Sequence, residues 1–406
     1  MNIFTSKNRI VDCLSVPVCC MSLFAVILGA LSRLLTDDTF FFETAFSFAS
    51  SVLIAAFIAS CVSRDSKVTA VLSSGILCFE LVFYAFSERA LGLGLSVFVS
   101  FAFVKYLSKL DMKFLAPLSV FCGALLGAAF GLACPLVEKG IQALALAVKG
   151  NAFAFGALND VFTLLFGNFF SDLFYHTDYG AATVLDNKLL VGAVNVFEYA
   201  VDDPQSSAAD YLTGRYYANI FIPVGIYAAL FKKIKSRFST PLFLATAVSA
   251  FLGNNVLFLI FVLFYNPFLF IAFSLSNALA CLGSALSDVR VGFVNNASLF
   301  EMFKYMNSPL YFFSVGVVCC ALAYFVSRFV LEKYDFDTYK FVPPSVKKLF
   351  DSLGGEDNIE KLDSDAVIVY NPNLVNILKI DCDICENRIT LNDDDLNILS
   401  EYTVKK

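Results

Sequence analysis

Long apolar segments follow one another along most of this chain, and they restrict the folds that it can adopt. About 20 consecutive apolar residues carry a helix across the hydrocarbon core of a bilayer, and lipid-exposed backbone there must be helical or belong to a closed barrel. The sequence predicts about ten such helices, at residues 11–34, 40–62, 68–86, 91–106, 114–133, 141–155, 212–231, 241–263, 264–286 and 310–330. The predicted fold class of this part is an all-α polytopic membrane protein.

The composition agrees with a membrane location. Hydrophobic residues make up 58 % of the chain and charged residues only 16 %, and the mean hydropathy is +0.72. A soluble domain carries about 25 % charged residues, so a water-exposed surface on this chain would lack the polar side chains that it needs. The composition therefore argues against a soluble globular enzyme.

Charge is distributed unevenly along the chain. From Asp335 to the C-terminus there are 15 acidic and 8 basic residues, a net charge of −7, whereas the residues before Asp335 carry a net charge of +1. We therefore predict a membrane domain at 1–334, a linker at 335–343 and a small cytoplasmic α/β domain at 344–406. The acidity of this tail disfavours nucleic acid and anionic lipid as its partners.

Basic residues cluster in the short connections between predicted spans, and by the positive-inside tendency these connections face the cytoplasm. The clusters are Arg64 with Lys67, then Lys105 with Lys109 and Lys113, and finally Lys232, Lys233, Lys235 and Arg237. Arg328 and Lys333 lie at the end of the last span and just after it, and they place the tail inside as well. Both termini are predicted to be cytoplasmic, and the first span is predicted to remain as an anchor rather than to be cleaved.

The 12 cysteines do not indicate a disulfide framework, because most lie in apolar runs, where they act as small hydrophobic side chains. Cys382 and Cys385 form a C-x-x-C pair in the tail. A structural zinc site needs four ligands, so this pair alone does not predict a metal. No metal and no other cofactor is expected.

One motif in the tail carries a family resemblance. Leu353, Gly354 and Gly355 are followed at fixed spacing by Asn358-Ile359 and then by Leu362-Asp363. The run resembles the start of the IIB domain of glucose-family phosphotransferase-system sugar permeases, which reads L-G-G-x-x-N-I-x-x-L-D-x-C. In that family the cysteine takes phosphate and passes it to the sugar, and here its position holds Asp365. The family's T-R-L-R run, whose arginine would stabilise the phosphate, is replaced by residues 367–370.

The membrane part resembles the IIC domain of the same family, in its glucose and N-acetylglucosamine types. The order and spacing of the segments follow the family from about residue 15 to about residue 365, and three short motifs carry the resemblance in the membrane part and the linker. They are Ser63-Arg64-Asp65-Ser66, which is similar to S-K-D-S; Leu212-Thr213-Gly214-Arg215-Tyr216, which is similar to L-T-G-R-Y/F; and Phe336-Asp337-Thr338, which is similar to the N-L-K-T linker. The resemblance implies a IIC domain fused to a truncated, degenerate IIB domain, a homodimer, and a location in the bacterial inner membrane.

The positions that correspond to the family's sugar site depart from its pattern. The family carries G-[IV]-T-E-P-x-E-F after an apolar run, and in this chain its first glutamate falls on Val256 and its second on Leu259. The resemblance implies that this first glutamate holds sugar hydroxyls, so Val256 removes a carboxylate from the site. The family's histidine in G-L-H-Q falls on Phe169.

The resemblance implies Asn254, Asn255, Arg215 and Asp202 as candidate sugar-binding residues. We expect these four to converge on one polar cavity, because polar groups at membrane depth are tolerated mostly where they line one. Two interpretations of Asn254 and Asn255 stay open. Their amides bind a neutral sugar, or they cap a broken helix.

The leading hypothesis is a divergent sugar permease that moves a hexose or an amino sugar by alternating access. Self-catalysed phosphorylation is not expected, because Asp365 and Val256 replace the nucleophile and the sugar-site carboxylate. Separate IIA or IIB proteins are possible partners, and enzyme activity is left open. The alternative hypothesis is a membrane sugar sensor or interaction protein derived from such a permease.

Overall fold

The structure, a computed structural model, describes the larger part of the chain. The described residues are 7–35, 66–87, 92–107, 112–185, 187–199, 209–231, 239–287, 289, 291–294, 296–306, 308–334, 349–355, 358–363, 366–372, 375–376, 383–392, 395–396 and 399. The chain divides into two compact units, Met1–Phe336 and Asp337–Lys406.

The first unit is built almost entirely of helices. Its N-terminal half contains α1 (Lys7–Leu35), α2 (Ser66–Ser87), α3 (Leu93–Leu107), α4 (Met112–Val148), α5 (Ala152–Phe166), α6 (Phe169–His176) and α7 (Ala193–Tyr199). A two-stranded antiparallel hairpin, β1 (Ala182–Leu185) and β2 (Lys188–Val191), lies between α6 and α7. Its turn uses Asn187 at a φ of 59°, a conformation that asparagine tolerates better than most residues.

The C-terminal half of this unit begins with an interrupted helix. Helix α8 (Ala209–Tyr216) continues through a π-helical segment (Tyr217–Phe221) into α9 (Ile222–Phe231). The helices that follow are α10 (Ser239–Leu252), α11 (Val256–Tyr265), α12 (Pro267–Ser287), α13 (Leu299–Tyr305) and α14 (Pro309–Lys333). The π-helical segment widens one turn of an otherwise continuous helix, a feature that is frequent at functional sites.

Several of these helices have the length and composition of membrane spans. Among the described residues four stretches are long and apolar enough to cross a membrane, Ala70–Ser87, Phe114–Val148, Pro267–Leu286 and Pro309–Lys333. Leu14–Gly29, Ala152–Phe166, Ser239–Leu252 and Val256–Tyr265 are shorter apolar helices. The mostly helical, membrane-type architecture therefore agrees with the sequence. The count of about ten spans stays a prediction, and the predicted span at 40–62 lies outside the described residues.

One predicted boundary is wrong. The sequence predicts separate spans at 114–133 and 141–155, but α4 runs without interruption for 37 residues through Glu138, Lys139 and Gly140. At about 1.5 Å per residue this helix is about 55 Å long, well beyond the roughly 30 Å hydrocarbon core. The charged residues lie where the helix can extend past the core, and Lys139 is exposed. The break comes later, before α5, at the turn formed by residues 149–151.

The predicted span at 241–263 is also two helices. Helix α10 ends at Leu252 and α11 begins at Val256. Gly253 has a φ of +71°, and a Cβ there would lie 2.8 Å from the carbonyl carbon of Ala297, so the break requires glycine. Asn254 accepts the backbone N–H of Val256 on its Oδ1 at 3.1 Å, which caps the new helix.

The second unit contains a four-stranded antiparallel sheet in the order β3-β4-β6-β5, formed by Ile359–Leu362, Ala366–Val369, Arg388–Thr390 and Asp383–Cys385. Its core includes Leu349, Phe350 and Leu353 from a short helix at 349–352. The apolar run at 366–370 predicts a buried strand, and the structure confirms it as β4 over Ala366–Val369. The next apolar run, 374–380, is predicted as a second strand or a short helix, and most of it lies outside the described residues.

Gly354 ends the short helix as the sequence predicts. Its φ is +89°, the left-handed conformation that glycine adopts at this position. The N–H of Gly355 bonds to the carbonyl of Phe350 at 2.8 Å, and the N–H of Gly354 bonds to the carbonyl of Asp351 at 3.4 Å. These two bonds form a Schellman motif, which satisfies carbonyl groups at the helix end.

Candidate functional site

A buried carboxylate lies at the centre of the polar cluster in the first unit. Asp160 on α5 is 0 % exposed, and three side-chain N–H groups donate to it. Its Oδ1 accepts from Arg215 Nη1 at 3.0 Å and from Asn255 Nδ2 at 3.2 Å. Its Oδ2 accepts from Asn277 Nδ2 at 2.6 Å. A carboxylate in an apolar bundle is costly unless it is paired and hydrogen-bonded, and these three donors supply that compensation.

Arg215 and Asn255 also contact each other. Arg215 Nη2 donates to Asn255 Oδ1 at 3.2 Å, and the Arg215 side chain is only 10 % exposed. Asn255 thus donates to the carboxylate and accepts from the guanidinium, so it bridges the ion pair. Asn277 donates in addition to the carbonyl of Gly156 at 3.1 Å. The cluster therefore ties together four helical segments, α5, α8, α11 and α12.

Close backbone packing brings these helices together. A Cβ on Gly214 would lie 2.2 Å from Cys281 Sγ, and a Cβ on Gly156 would lie 2.8 Å from the same sulfur. Small residues allow helices in membranes to approach closely. Because α12 packs against both α5 and α8, the short side chains at these crossings let the longer ones, Arg215 and Asn277, meet Asp160.

Most residues of the L-T-G-R-Y motif at 212–216 have a structural role in positioning α8. Leu212 is fully buried. The Thr213 Oγ1 donates to the carbonyl of Val291 at 3.1 Å and accepts the N–H of Val291 at 2.9 Å. The Tyr216 hydroxyl donates to the carbonyl of Gly292 at 2.8 Å. Thr213 and Tyr216 thus anchor the segment before α13 and fix α8, while Arg215 is the motif residue that enters the charged cluster.

The broken helix lies beside the π-helical segment. Asn219 in that segment donates from Nδ2 to the carbonyl of Gly253 at 2.8 Å and to the carbonyl of Ala297 at 3.3 Å. The Ser249 hydroxyl donates to the backbone carbonyl of Asn219 at 2.7 Å. The two irregular segments therefore satisfy each other's backbone groups, as non-helical backbone at membrane depth requires.

Further buried polar atoms lie near the cluster without a hydrogen-bond partner among the described residues. They are Asn159 Oδ1 and Thr163 Oγ1 on the buried side of α5, and the Tyr175 hydroxyl on α6. Asp160 and Arg215 both lie within electrostatic range of Tyr175. Buried polar groups are normally hydrogen-bonded, so these three atoms mark positions where hydrogen-bonding capacity is unused by the protein.

The structure brings two of the four predicted sugar-binding residues together in the cluster. Arg215 and Asn255 lie in contact. Asn254 is half-buried and its Oδ1 caps α11, so the helix-cap interpretation fits Asn254, whereas the Asn255 side chain points into the charged cluster. Asp202 lies outside the described residues, as do Asp365 and Cys382. Whether any of these residues binds a sugar stays a prediction.

The positions that correspond to the family's two glutamates and its histidine hold the apolar residues Val256, Leu259 and Phe169. Val256 is the first residue of α11 and directly follows Asn255. Leu259 is fully buried one turn later, and Phe169 is buried at the start of α6. These side chains contribute no hydrogen bond to the cluster.

Two central residues were not among the predicted site residues. Asp160 and Asn277 form the shortest hydrogen bond of the cluster, but neither belongs to a motif of the resemblance. A signal for Asp160 was present, because it is the only charged residue in the apolar segment Ala152–Phe166 and an ionisable residue inside such a segment is a functional candidate by default. Asn277 offered a weaker signal, as an amide inside the apolar helix α12.

A groove of about 330 Å³ lies elsewhere in the first unit, between α12 and α14. Its lining is almost wholly apolar and includes Gly283, Val318 and Cys319. An apolar groove without convergent polar groups lacks the features of a site for a polar solute. The charged cluster around Asp160 is therefore the stronger candidate site.

In the second unit, Asn358 of the L-G-G-x-x-N-I motif has a structural role. Its Nδ2 donates to the carbonyls of Leu353 at 2.8 Å and Asn371 at 3.0 Å, and its Oδ1 accepts the N–H of Asn371 at 2.9 Å. Asn358 therefore connects the end of the short helix to the chain after β4. A hydrogen bond from Lys361 lowers the pKa of Asp363, two residues before Asp365.

Comparison with known proteins leaves the family unassigned. No protein-family model matches the chain, and no curated protein matches it.

Proposed function

We propose that this chain is a membrane permease that binds a neutral polyhydroxylated solute, a hexose or an amino sugar, at the cluster around Asp160 and Arg215. The observation that carries the proposal is a buried ion pair, bridged by an amide, beside a broken helix. Ionisable residues inside a membrane bundle are rare and usually serve substrate or ion pathways. Secondary transporters place their binding sites at discontinuous helices near the middle of the bilayer.

The hydrogen-bonding capacity of the cluster suits a sugar. An ionised carboxylate offers about four acceptor sites, and Asp160 uses three of them. A guanidinium has five N–H donors, of which Arg215 commits two to Asp160 and Asn255. The unused groups, together with Asn159, Thr163 and Tyr175, can donate to and accept from neighbouring hydroxyl groups.

Asp160 also supplies the carboxylate that is absent at Val256. The family resemblance places a sugar-binding carboxylate at position 256, and here Asp160 reaches Asn255, the neighbouring residue, from α5. Under this proposal the carboxylate comes from a different helix and serves the same recognition of sugar hydroxyls. Asp160 is neutralised by Arg215, which favours a neutral solute over an anionic sugar phosphate.

The proposed permease does not phosphorylate its solute by itself. Phosphoryl transfer needs a donor, a positioned acceptor and electrostatic stabilisation of the moving charge. Asp365 stands in place of the phosphate-carrying cysteine, and Val367–Tyr370 stand in place of the basic run. The proposal places a homodimer in a bacterial inner membrane, with separate IIA or IIB proteins as possible partners.

Thermal unfolding of the purified full-length protein with a panel of free and phosphorylated sugars tests the proposal. A free sugar at about 100 times its dissociation constant should stabilise the protein by about 2.7 kcal/mol. Asn255→Ala should abolish this stabilisation, whereas Asn195→Ala, which changes an exposed asparagine on α7, should keep it. Stabilisation by no sugar, or equal stabilisation in both variants, would contradict the proposal.

A second candidate function is sensing or partner binding through the second unit. The observation that favours it is that Gly354 and Asn358 keep this unit's fold intact although Asp365 has replaced the phosphate carrier. Uptake of radiolabelled sugar into liposomes containing the protein separates the two candidates. Sugar binding with uptake supports the permease, whereas sugar binding without uptake supports the sensor.

A further inference from the structure

A second buried acid lies in the first unit, separate from the cluster around Asp160. Glu80 on α2 is only 4 % exposed and lies within the membrane-type stretch Ala70–Ser87. It is seven residues from the end of α2, which places it about 10 Å inside that end of the helix. A carboxyl group at such a position is costly and is normally present for a function.

The surroundings of Glu80 are apolar and tightly packed. Helix α4 approaches α2 through small residues, since a Cβ on Gly123 would lie 2.1 Å from the carbonyl oxygen of Gly75 and a Cβ on Gly127 would lie 2.5 Å from that of Phe79. Phe79 and Phe83, on either side of Glu80 along α2, pack with Leu95, Val99 and Cys134. Helices α2 and α4 therefore pack closely beside Glu80.

Glu80 has one polar partner and no cationic partner among the described side chains that face it. The Ser96 hydroxyl on α3 hydrogen-bonds to its carboxyl group, while Oε1 has no hydrogen-bond partner there. The thiols of Cys122 and Cys134 on α4 pack against the apolar clusters formed by Ile76 with Phe103 and by Phe79 with Phe83. A carboxyl group held in this way is stable as the neutral acid, because an unpaired buried carboxylate would carry a large desolvation penalty.

We propose that Glu80 is a proton-binding site of the membrane bundle, protonated in the packed state of α2, α3 and α4 and deprotonated when that packing opens to water. The step is a simple equilibrium in which the carboxylic acid releases its proton to water and becomes a carboxylate. Its ligand is the proton, and its role is to couple a conformational change to the proton gradient across the membrane.

The coupling role rests on the proposed permease function, whereas the proton site does not. A permease that has lost its phosphate carrier has no phosphoryl donor within its own chain to drive accumulation. A membrane acid that binds a proton in one conformation and releases it in another supplies an alternative link to an energy source, because a ligand shifts a conformational equilibrium by its differential affinity for the two states.

Carbodiimide labelling of the full-length protein in liposomes tests the proton site. The apolar reagent dicyclohexylcarbodiimide reacts with protonated carboxyl groups in apolar surroundings. We expect mass spectrometry to find the adduct on Glu80, with labelling that falls as the pH is raised, and to find it lost in Glu80→Gln. Glu332, which is 57 % exposed and paired with Arg328, is the matched control and should stay unlabelled.

Infrared spectroscopy supplies a second readout that needs no reagent. The difference between wild type and Glu80→Gln should contain one protonated-carboxyl band, and this band should disappear as the pH is raised. Ser96→Ala, which removes only the hydroxyl partner, should shift the frequency of the band without abolishing it. This variant keeps the test valid if Glu80→Gln does not fold.

Two results would overturn the proposal. One is a band that stays constant over the whole pH range in which the protein is folded, because it would make Glu80 a permanently protonated structural acid. The other is absence of the adduct and of the band, because it would make Glu80 an ionised residue. If the proton site stands while no sugar stabilises the protein, only the permease proposal fails.

Discussion

The ion pair between Asp160 and Arg215 gives the sharpest test of how this membrane unit is held together. Asp160→Asn keeps the shape of the side chain but removes its charge and one acceptor oxygen. Three N–H donors converge on Asp160, from Arg215, Asn255 and Asn277, and an amide at this position can accept fewer of them. Arg215→Met leaves the carboxylate buried without its cation.

The expected loss in the free energy of unfolding follows from the burial of the ion pair. Removing one partner of a buried ion pair costs about 3–5 kcal/mol, because the other charge stays behind without compensation, whereas removing both can be nearly neutral. We therefore expect each single variant to lose about 3–5 kcal/mol and the double variant to lose about 3 kcal/mol less than the sum of the two single losses. The coupling energy of the double-mutant cycle should be on the order of 3 kcal/mol, at the upper end for contacting residues.

The assay is reversible unfolding of the detergent-solubilised protein by added denaturing detergent, followed by circular dichroism. Arg328 and Glu332 on α14 form the matched control, since their Nε and Oε1 lie 2.7 Å apart but both side chains are 57 % exposed. The same charge-removing substitutions there should leave the midpoint unchanged, as for most exposed pairs. If the costs at Asp160 and Arg215 simply add, or match those of the control, then the buried pair does not hold the helices together.

Three further predictions concern packing, helix capping and phosphate. Gly214→Ala should cost about 1–3 kcal/mol by overpacking, because the new Cβ would lie 2.2 Å from Cys281 Sγ, and the added change Cys281→Ala should recover stability in the same unfolding assay. Ser298→Ala should cost about 1 kcal/mol, since the Ser298 Oγ caps α13, whereas Ser308→Ala should cost less because the Ser308 side chain makes no capping bond. Radiolabelled phosphoenolpyruvate with the general phosphotransferase proteins should leave Asp365 unlabelled, and label that disappears in Asp365→Ala would show that an aspartyl phosphate forms there after all.

Features that depend on local chemistry were predictable from the sequence. Apolar segments of span length predict the membrane helices, and Gly354 ends its helix in the left-handed conformation that its position suggests. The strand at 366–369 follows from its run of β-branched residues. Each of these signals is contained in a window of a few residues, so no long-range contact was needed to read it.

Features that depend on packing between distant segments were not predictable in the same way. Helix α4 passes through Glu138 and Lys139 without a break, whereas a hydropathy pattern alone takes those charges as a boundary between two spans. Arg215 and Asn255 were grouped through the family resemblance. Their shared partner Asp160 is 55 residues before Arg215 in the chain, and only the crossing of α5, α8 and α12 brings the two side chains together.

The residues that carry the family resemblance are mostly residues that the fold itself needs. Gly354 and Asn358 close the helix end and connect it to the chain after β4, and Thr213 and Tyr216 hold the segment before α13. Such residues stabilise the fold whether or not phosphate is transferred. Their presence is therefore evidence about the fold and not about phosphoryl transfer. Groups without a structural task are the better guide to function: the polar atoms beside Asp160 and the oxygen of Glu80 that have no hydrogen-bond partner in the described part of the chain. The retention of these groups at a cost in stability fits the solute and proton binding that we propose.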